Sequence, residues 1–530
     1  MKNHLPVIVL IAGLVALTLG CNPSSSDTKT SYAGFPYSEM TIEELQKGYA
    51  EGKFTVRQVT EGYLERIQNI DKSGPELNSL ISTNPHALKV ADSLDQELQE
   101  GFARGPLHGI PVILKDNIDT ENIATTAGSR ALEGSYPDDD AFLTRKLKQA
   151  GAIVLAKANL SEWANFRGAM STSGWSGLGG QVKNPYVLDR NPCGSSSGSG
   201  VAVSANLCMV AIGTETNGSI VCPSHANGVV GIKPTVGLIS RDGIIPISFT
   251  QDTPGPMTRT VTDGAIALGA LAGLDSADSK TLAGKDYLTN DYTQFLNDNG
   301  LEGKRIGIFT EALGQHYKVD SVFNRAVAFM ESQGAEFVEI EQIASSRAGY
   351  YSFEIMLYEY KDGLNKYFSS LGEDAPIKSV AELIEFNKTD SLELKYFAQN
   401  YLEEANRKAG LESEDYKNKL EQLMKLSRES GLDSVMDANK LDAIVAPTGS
   451  PAWKTDWING DHYQLGSSSP AARAGYPNIT VPMGFIGDLP VGISIFGRAW
   501  SEPVLLEIAY AYEQGTLHRK EPQFLDQDFQ

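Results

Sequence analysis

One lysine and two serines have the residue types and the surroundings of a hydrolytic site. Lys115 ends an apolar run of strand type, Ser195 lies in a cluster of serines and glycines (CGSSSGSG), and Ser219 lies in the segment TETNGSI. A serine hydroxyl becomes nucleophilic when a base takes its proton, and a lysine can be that base only while its amine is neutral. Burial against apolar residues lowers a lysine pKa, because it disfavours the ammonium form. These residues therefore predict acyl chemistry on serine with a lysine base, beside glycines whose backbone N–H groups could face an oxyanion.

The sequence lacks three common metal and nucleotide motifs, and one further motif suggests a different nucleophile. There is no P-loop pattern, no H-E-x-x-H zinc motif and no dinucleotide fingerprint between a strand and a helix. The segment GSSSG at residues 194–198 satisfies G-x-S-x-G, which is typical of α/β-hydrolase esterases and would make Ser196 the nucleophile. That alternative needs a histidine base, and the candidates are His225, His316, His462 and His518.

The charge of the chain excludes one class of partner. The 530 residues include 45 Lys and Arg against 66 Asp and Glu, which gives a net charge of −21. A nucleic-acid-binding protein needs a basic footprint, so we expect no nucleic-acid partner.

The first residues have the pattern of an export signal. A weakly basic start precedes an apolar run from Leu5 to Leu19, which is too short to span a bilayer comfortably. Thr18-Leu19-Gly20-Cys21 is similar to a bacterial lipoprotein cleavage box, in which Cys21 becomes the lipid-bearing N-terminus. We expect a signal peptide at 1–20, a polar tether at 21–37, and an exported protein of the bacterial cell envelope that touches the membrane only through a lipid on Cys21.

Three further cysteines remain after such processing. These are Cys193, Cys208 and Cys222, and three cysteines cannot all form disulfides with one another. In addition, no spacing among them matches a zinc ligand set. On this ground a structural disulfide framework is excluded.

The elements that must position the lysine and the serines follow from periodicity. Residues 38–100 form a helical lead-in with capping boxes at Thr41 and Thr55. A strand, a helix and a strand from residue 108 to residue 156 indicate a parallel sheet. Residues 345–440 are charged and helical, which is typical of an insertion. Strands at 443–446, 479–481 and 492–495 and a helix at 502–514 close the chain.

In combination these features resemble the amidase signature family from about Thr41 to about Gln514. The segment GSSSGSGVAVSANLCMVAIGTETNGSIVCPSHANGVVGIKPT is similar to the family's signature, and HGIP with Lys115-Asp116 is similar to its lysine strand. The resemblance implies an α/β fold in one domain at 38–525: a large mixed, mostly parallel twisted sheet covered by helices on both faces, with a helical insertion at about 345–440. Asn217 stands where the family has a glycine.

The resemblance also implies a role for each residue of the site. Ser219 would be the acylated nucleophile, Ser195 a bridging serine held by a cis peptide bond, and Lys115 the neutral base. The backbone N–H groups of Thr216, Asn217, Gly218 and Ser219 would form the oxyanion hole, and Ser196 would support the site through hydrogen bonds. Such an enzyme cleaves a carboxamide to a carboxylate and ammonia through an acyl-enzyme, without a metal or an organic cofactor.

The TETNGS form, with residues 160–167 and 173–177, is most similar to the peptide amidase branch, which acts on C-terminal peptide amides. We therefore expect a peptide amide or another small amide as substrate. A non-catalytic lipoprotein that only captures peptides is the second alternative. The natural substrate and the oligomeric state stay open at this point.

Overall fold

The computed structural model describes Met1, residues 34–373 and residues 375–527. The rest of the predicted signal peptide, Cys21 and most of the predicted tether lie outside the described residues. From Tyr37 onward the chain forms one compact unit. In the described part of the chain, no helix combines the length and the apolar character that crossing a bilayer requires.

The α-helices of the described residues are α1 (Ile42–Ala50), α2 (Val56–Arg66), α3 (Ala87–Gln99), α4 (Phe142–Gln149), α5 (Ser197–Ser204), α6 (Val221–Ala226), α7 (Val261–Leu271), α8 (Tyr317–Ser332), α9 (Arg347–Ser370), α10 (Val380–Thr389), α11 (Asn400–Asn406), α12 (Glu414–Met424), α13 (Asp433–Asn439), α14 (Ser469–Ala474) and α15 (Glu502–Thr516).

The strands of the described residues are β1 (Leu80–Thr83), β2 (Pro111–Lys115), β3 (Ile153–Ala158), β4 (Trp175–Ser176), β5 (Gly180–Gln181), β6 (Val210–Glu215), β7 (Val230–Lys233), β8 (Thr253–Thr258), β9 (Arg305–Phe309), β10 (Glu336–Ile340), β11 (Ala443–Pro447), β12 (Asn478–Ile486) and β13 (Leu489–Phe496).

Eleven of these strands form one mixed sheet in the order β1-β3-β2-β6-β8-β7-β12-β13-β11-β9-β10, while β4 and β5 pair separately. The predicted α/β architecture is confirmed, including the parallel pairing of β2 with β3 across α4. The expectation of a mostly parallel sheet is wrong: among the described strands, four pairings in this sheet are parallel and six are antiparallel. Short connections such as the turn between β12 and β13 force antiparallel neighbours.

The region before β2 is mostly helical, as predicted, and contains α1, α2 and α3. Thr41 and Thr55 each close a capping box at the start of α1 and α2, because each side chain accepts from the N3 backbone N–H while the N3 side chain accepts in return. The strand β1 inside this region was not predicted. It has four residues and pairs antiparallel to β3 at one edge of the sheet, so it is too short to show a period of two.

The segment predicted to be a helical insertion contains the helices α9 to α13. Its inner faces share an apolar cluster with residues near β3, in which Phe166 packs edge-on against Tyr360 with ring centroids 5.1 Å apart, and Trp163 packs against Phe368 at 6.1 Å. These aromatic contacts hold the insertion against the sheet-forming part of the chain.

The sheet brings two chemically active segments to one edge. β2 and β6 are neighbours and parallel, with Leu114 opposite Ile212, so their carboxyl ends lie side by side. Lys115 ends β2, and Glu215 ends β6 directly before the segment that carries Ser219. This edge of the sheet is where ligands bind in open α/β folds.

Candidate active site

The amine of Lys115 is buried and surrounded by oxygen acceptors. Its side chain is 0% exposed, and Nζ donates to Ser195 Oγ at 2.7 Å, to Thr214 Oγ1 at 2.9 Å and to the Thr214 carbonyl at 3.2 Å. Burial lowers the pKa of Lys115 to about 7, against the opposing charges of Asp252 and Glu215. This lowering favours the neutral form of the amine, which a general base must have.

Ser195 contacts Lys115 directly, and the residue after it, Ser196, contacts Ser219. The Gly194–Ser195 peptide bond is cis, which is the geometry that the resemblance implies. The residue is buried, its hydroxyl accepts from Lys115, and its carbonyl accepts from Ser161 N–H at 3.0 Å.

Ser196 connects the serine cluster to β6 and to the segment that carries Ser219. Its Oγ donates to the Thr214 carbonyl at 3.1 Å and accepts from the Thr214 N–H at 3.1 Å. Its own N–H donates to the carbonyl of Ser219 at 3.2 Å. The hydroxyl is thus engaged with the end of β6, which suits the predicted supporting role.

Thr214 is a site residue that sequence reasoning missed. Its hydroxyl accepts from Lys115 and also from Asn117 Nδ2 at 3.1 Å, and its backbone binds Ser196. No local sequence signal marks it, because its place depends on the strand register, in which Thr214 stands two residues beyond Ile212, the partner of Leu114.

The turn from Thr216 to Ser219 presents unpaired backbone donors. Among the described residues, the N–H groups of Asn217, Gly218 and Ser219 donate to no backbone or side-chain acceptor, and Ser219 is half-buried. The next two N–H groups, of Ile220 and Val221, donate instead to Glu215 Oε2. Gly218 has φ +88°, a conformation that favours glycine. The turn can therefore place several N–H groups around one oxyanion.

The side chain of Asn217 fixes this turn from outside. Its Oδ1 accepts from Ser468 Oγ at 2.7 Å, and its Nδ2 donates to Ser469 Oγ at 3.2 Å, at the start of α14. A glycine at this position would lack both hydrogen bonds.

A carboxylate lies behind the turn. Asp252 Oδ1 accepts from Thr216 Oγ1 at 2.6 Å, and Oδ2 accepts from the N–H groups of Ile247 and Ser248 at 2.7 Å each. Burial raises the pKa of Asp252 to about 6. Its negative charge favours the ammonium form of Lys115 and so opposes the lowering of the lysine's pKa. Within the described residues, no group of three or more His, Cys, Asp or Glu is placed to hold a metal ion.

The cysteines correct a sequence-based expectation. Cys193 and Cys222 form a disulfide, with Cα atoms 5.9 Å apart, while Cys208 is free and buried. The exclusion of a structural disulfide was wrong, because an odd number of cysteines forbids complete pairing but still permits one pair. The fold brings together two cysteines that are 29 residues apart in sequence.

The histidines required by the esterase alternative lie elsewhere. His225 is buried, with its Nδ1 accepting from Gly492 N–H, and burial lowers its pKa to about 4. His316 caps α8, His462 lies beside Asp456, and His518 packs near Tyr512. No histidine of the described chain is hydrogen-bonded to Ser196, so this alternative lacks its base.

A cavity of about 340 Å³ lies against the groups that hold Lys115. Asn117, Thr214 and Thr216 form one wall, the loop from Arg241 to Pro254 forms another, and α9 contributes Tyr367. Its volume is in the range of small-molecule sites. The insertion helix α9 thus reaches the neighbourhood of the catalytic edge, although Ser195 and Ser219 do not line this cavity.

The fold and this arrangement define an amide hydrolase. The family model described as "Amidase" matches residues 58–506, and the chain belongs to that family. A probable amidase of Arabidopsis thaliana is 39% identical over 533 residues, which cover 98% of this chain and 97% of the relative.

Among solved structures, the native peptide amidase of Stenotrophomonas maltophilia is 49% identical with a TM-score of 0.90, covering 93% of this chain and 100% of that chain. An amidase family protein of Bacillus anthracis is 35% identical with a TM-score of 0.84, covering 94% of each chain. The chain is thus an amidase that is close in structure to peptide amidases.

Proposed function

We propose that this amidase hydrolyses a carboxamide to a carboxylate and ammonia through Ser219, Ser195 and Lys115. The observation that carries the proposal is the 2.7 Å contact between Lys115 Nζ and Ser195 Oγ. It occurs in a fully buried setting, in the same serine cluster whose Ser196 N–H binds the Ser219 carbonyl.

The reaction begins with neutral Lys115. Lys115 takes the proton of Ser195 while Ser195 takes that of Ser219, and Ser219 Oγ attacks the amide carbon. The backbone N–H groups of Thr216, Asn217, Gly218 and Ser219 stabilise the negative charge that develops on the carbonyl oxygen.

The relay then runs in the opposite direction. The C–N bond breaks as the leaving nitrogen receives the proton that Lys115 holds, by way of Ser195, and ammonia departs. A water molecule attacks the acyl-enzyme, and one of its protons passes through the same relay to Ser219 Oγ, which restores the hydroxyl. The product leaves as the carboxylic acid and loses its remaining proton to solvent, which gives the carboxylate. Atoms and charge balance without a metal or a cofactor.

C-terminal peptide amides are the proposed substrate class. Two features support this proposal: the 49% identity to a structure described as a peptide amidase, and the TETNGS form of the turn, whose Asn217 is anchored by Ser468 and Ser469.

The proposed location is the bacterial cell envelope. The apolar run at 5–19 and the box ending in Cys21 support export and a lipid anchor on Cys21, which would be the protein's contact with the membrane.

Ammonia release from a peptide amide tests the catalytic proposal. Lys115→Ala, Ser195→Ala and Ser219→Ala should each lower kcat/KM by about 1000-fold or more, because each breaks the relay. Ser199→Ala is the matched control, since Ser199 lies in the same cluster but its Oγ makes a 3.4 Å hydrogen bond to the Ile212 carbonyl. Wild-type release from any of the three variants would contradict the proposal.

The substrate class is tested in the same assay of ammonia release. Peptide amides should exceed fatty and aryl amides in kcat/KM, and the opposite order would reject the substrate class.

A further inference from the structure

The two cysteines of the Cys193–Cys222 disulfide flank the two serines of the proposed relay in sequence. Cys193 precedes Ser195 by two residues, and Cys222 follows Ser219 by three. The disulfide therefore joins the two separate segments that must bring one hydroxyl to the other.

Hydrogen bonds attach each cysteine to its serine segment. The Cys222 N–H donates to the carbonyl of Gly218, the residue before Ser219, at 2.8 Å. The Cys193 carbonyl accepts from Ser197 Oγ at 2.6 Å, which closes the loop around Ser195. Because each cysteine is attached so closely to its segment, a displacement of either sulfur would also displace Ser195 or Ser219.

Cys193 is also held in a demanding conformation. Its φ is +57°, in the left-handed region, and its N–H donates to Asn191 Oδ1 at 2.8 Å. A non-glycine residue keeps this conformation when its surroundings fix it. The disulfide and the Asn191 contact together provide such fixation on both sides of the residue.

The disulfide is shielded from solvent. Cys193 is 5% exposed and Cys222 is 4% exposed, and the two cysteines belong to one buried apolar cluster with Ala226 and Trp453. A disulfide that is reduced and reoxidised in use would be expected at the surface, whereas this buried position suits a disulfide that stays formed.

The proton relay needs that permanence. Transfer between two hydroxyls requires heavy-atom separations of about 2.6–3.2 Å, and a misplacement of about 1 Å can lower the rate about 100-fold. A hydrogen bond from Ser196 N–H to the Ser219 carbonyl, 3.2 Å long, directly joins the two segments. The covalent link adds a constraint that thermal motion cannot break.

We propose that Cys193 and Cys222 are positioning residues whose disulfide sets the distance between the Ser195 and Ser219 hydroxyls. This inference rests on the proposed function, because a relay between these two hydroxyls is what requires the distance. Loss of the disulfide changes the rate of acyl transfer and leaves the binding of the amide nearly unchanged.

The double variant Cys193→Ser/Cys222→Ser tests this, with Cys208→Ala as the matched control for removal of a buried thiol. We expect kcat for ammonia release to fall about 10- to 100-fold, with KM within about threefold of wild type. The pH midpoint of kcat/KM stays at its wild-type value, because no partner of Lys115 is altered. A folded double variant with wild-type kcat would overturn the inference, since a purely structural link would lower thermal stability alone.

A comparison within the wild-type chain covers the case in which the double variant does not fold. Protein prepared with its thiols reduced is oxidised with glutathione disulfide, and thiols at 193 and 222 are counted by alkylation and mass spectrometry. The expected result is that kcat rises in step with the loss of these two thiols, and a kcat independent of their state overturns the inference. Failure of the proposed function would look different, because Ser219→Ala would then match the oxidised wild type.

Discussion

Among the residues that the structure describes, the hydrogen-bond acceptors of the Lys115 amine are hydroxyl and carbonyl oxygens, and none is a carboxylate. The neighbouring carboxylate of Asp116 lies 3.4 Å from Lys157 instead. A directly paired carboxylate favours the ammonium form of a lysine, and the acceptors of Lys115 offer no such charge. Desolvation by burial lowers the pKa of Lys115 to about 7, against the charges of Asp252 and Glu215.

Thr214 is expected to position this base. Replacing it with valine removes the hydroxyl that accepts from Lys115 and Asn117, so the amine loses an orienting partner. We predict about a tenfold loss of kcat in Thr214→Val, with little change in KM. The check is steady-state ammonia release.

Thr214→Ser is the conservative control, because it keeps the hydroxyl and should restore most of the activity. Equal kcat in the valine variant and the wild type would show that the hydroxyl does not orient Lys115.

At the scale of residues, Lys115, Ser195 and Ser219 stand out in the sequence by type and surroundings. Their roles in the relay were implied by the resemblance and stay a prediction. Thr214 and the Cys193–Cys222 link could not be predicted in the same way, because each depends on which strands and loops become neighbours. A threonine inside a strand has no local pattern that separates a lysine partner from a packing residue.

At the scale of elements, a buried ionic cluster joins the helical insertion to the sheet-forming part. Arg167 donates to Glu162 at 2.6 Å and to Glu393, in the connection between α10 and α11, at 3.2 Å. Its guanidinium also lies over the Trp175 ring, 5.2 Å from the centroid. Burial raises the pKa of Glu162, and Arg167 opposes that rise.

Removing the cation should loosen this connection. Arg167→Met leaves Glu162 and Glu393 buried without their partner, and breaking a buried pair in this way costs about 3–5 kcal/mol. We predict that much loss in the free energy of unfolding, measured by urea denaturation.

Arg407→Met, at an exposed position on the same insertion, is the control and should change stability by about 0.5 kcal/mol or less. Equal losses in both variants would mean that the buried cluster does not hold the insertion.

Helices were predicted more successfully than strand directions. The capping boxes at Thr41 and Thr55 are local signals, and they mark α1 and α2 correctly. No local sequence signal distinguishes a parallel from an antiparallel strand. For this reason β8 and β12 were not recognised as strands that run antiparallel to their neighbours. Their direction follows from long-range connections, which a single sequence does not reveal.

At the scale of the whole molecule, the proposed lipid anchor determines where catalysis takes place. Expressed in a bacterial host, the wild-type protein should incorporate labelled palmitate and fractionate with membranes, because a cleaved lipoprotein signal leaves Cys21 as the acylated residue. Cys21→Ala should lose the label and the membrane association while amidase activity persists in the variant.

Cys208→Ala, which changes a buried cysteine of the catalytic unit, should stay labelled. Labelling of Cys21→Ala at the wild-type level would reject the anchor.

The dependence of kcat/KM on pH tests the central claim, that a desolvated lysine works as a neutral base. A lysine with its pKa lowered to about 7 is charged and inactive below that pH and neutral above it, so kcat/KM for a peptide amide should rise with pH through a midpoint near 7. In Asp252→Asn the midpoint should move to lower pH, because a charge that favours the ammonium form is removed. A wild-type kcat/KM that stays level or falls between about pH 6 and pH 8 would contradict the account.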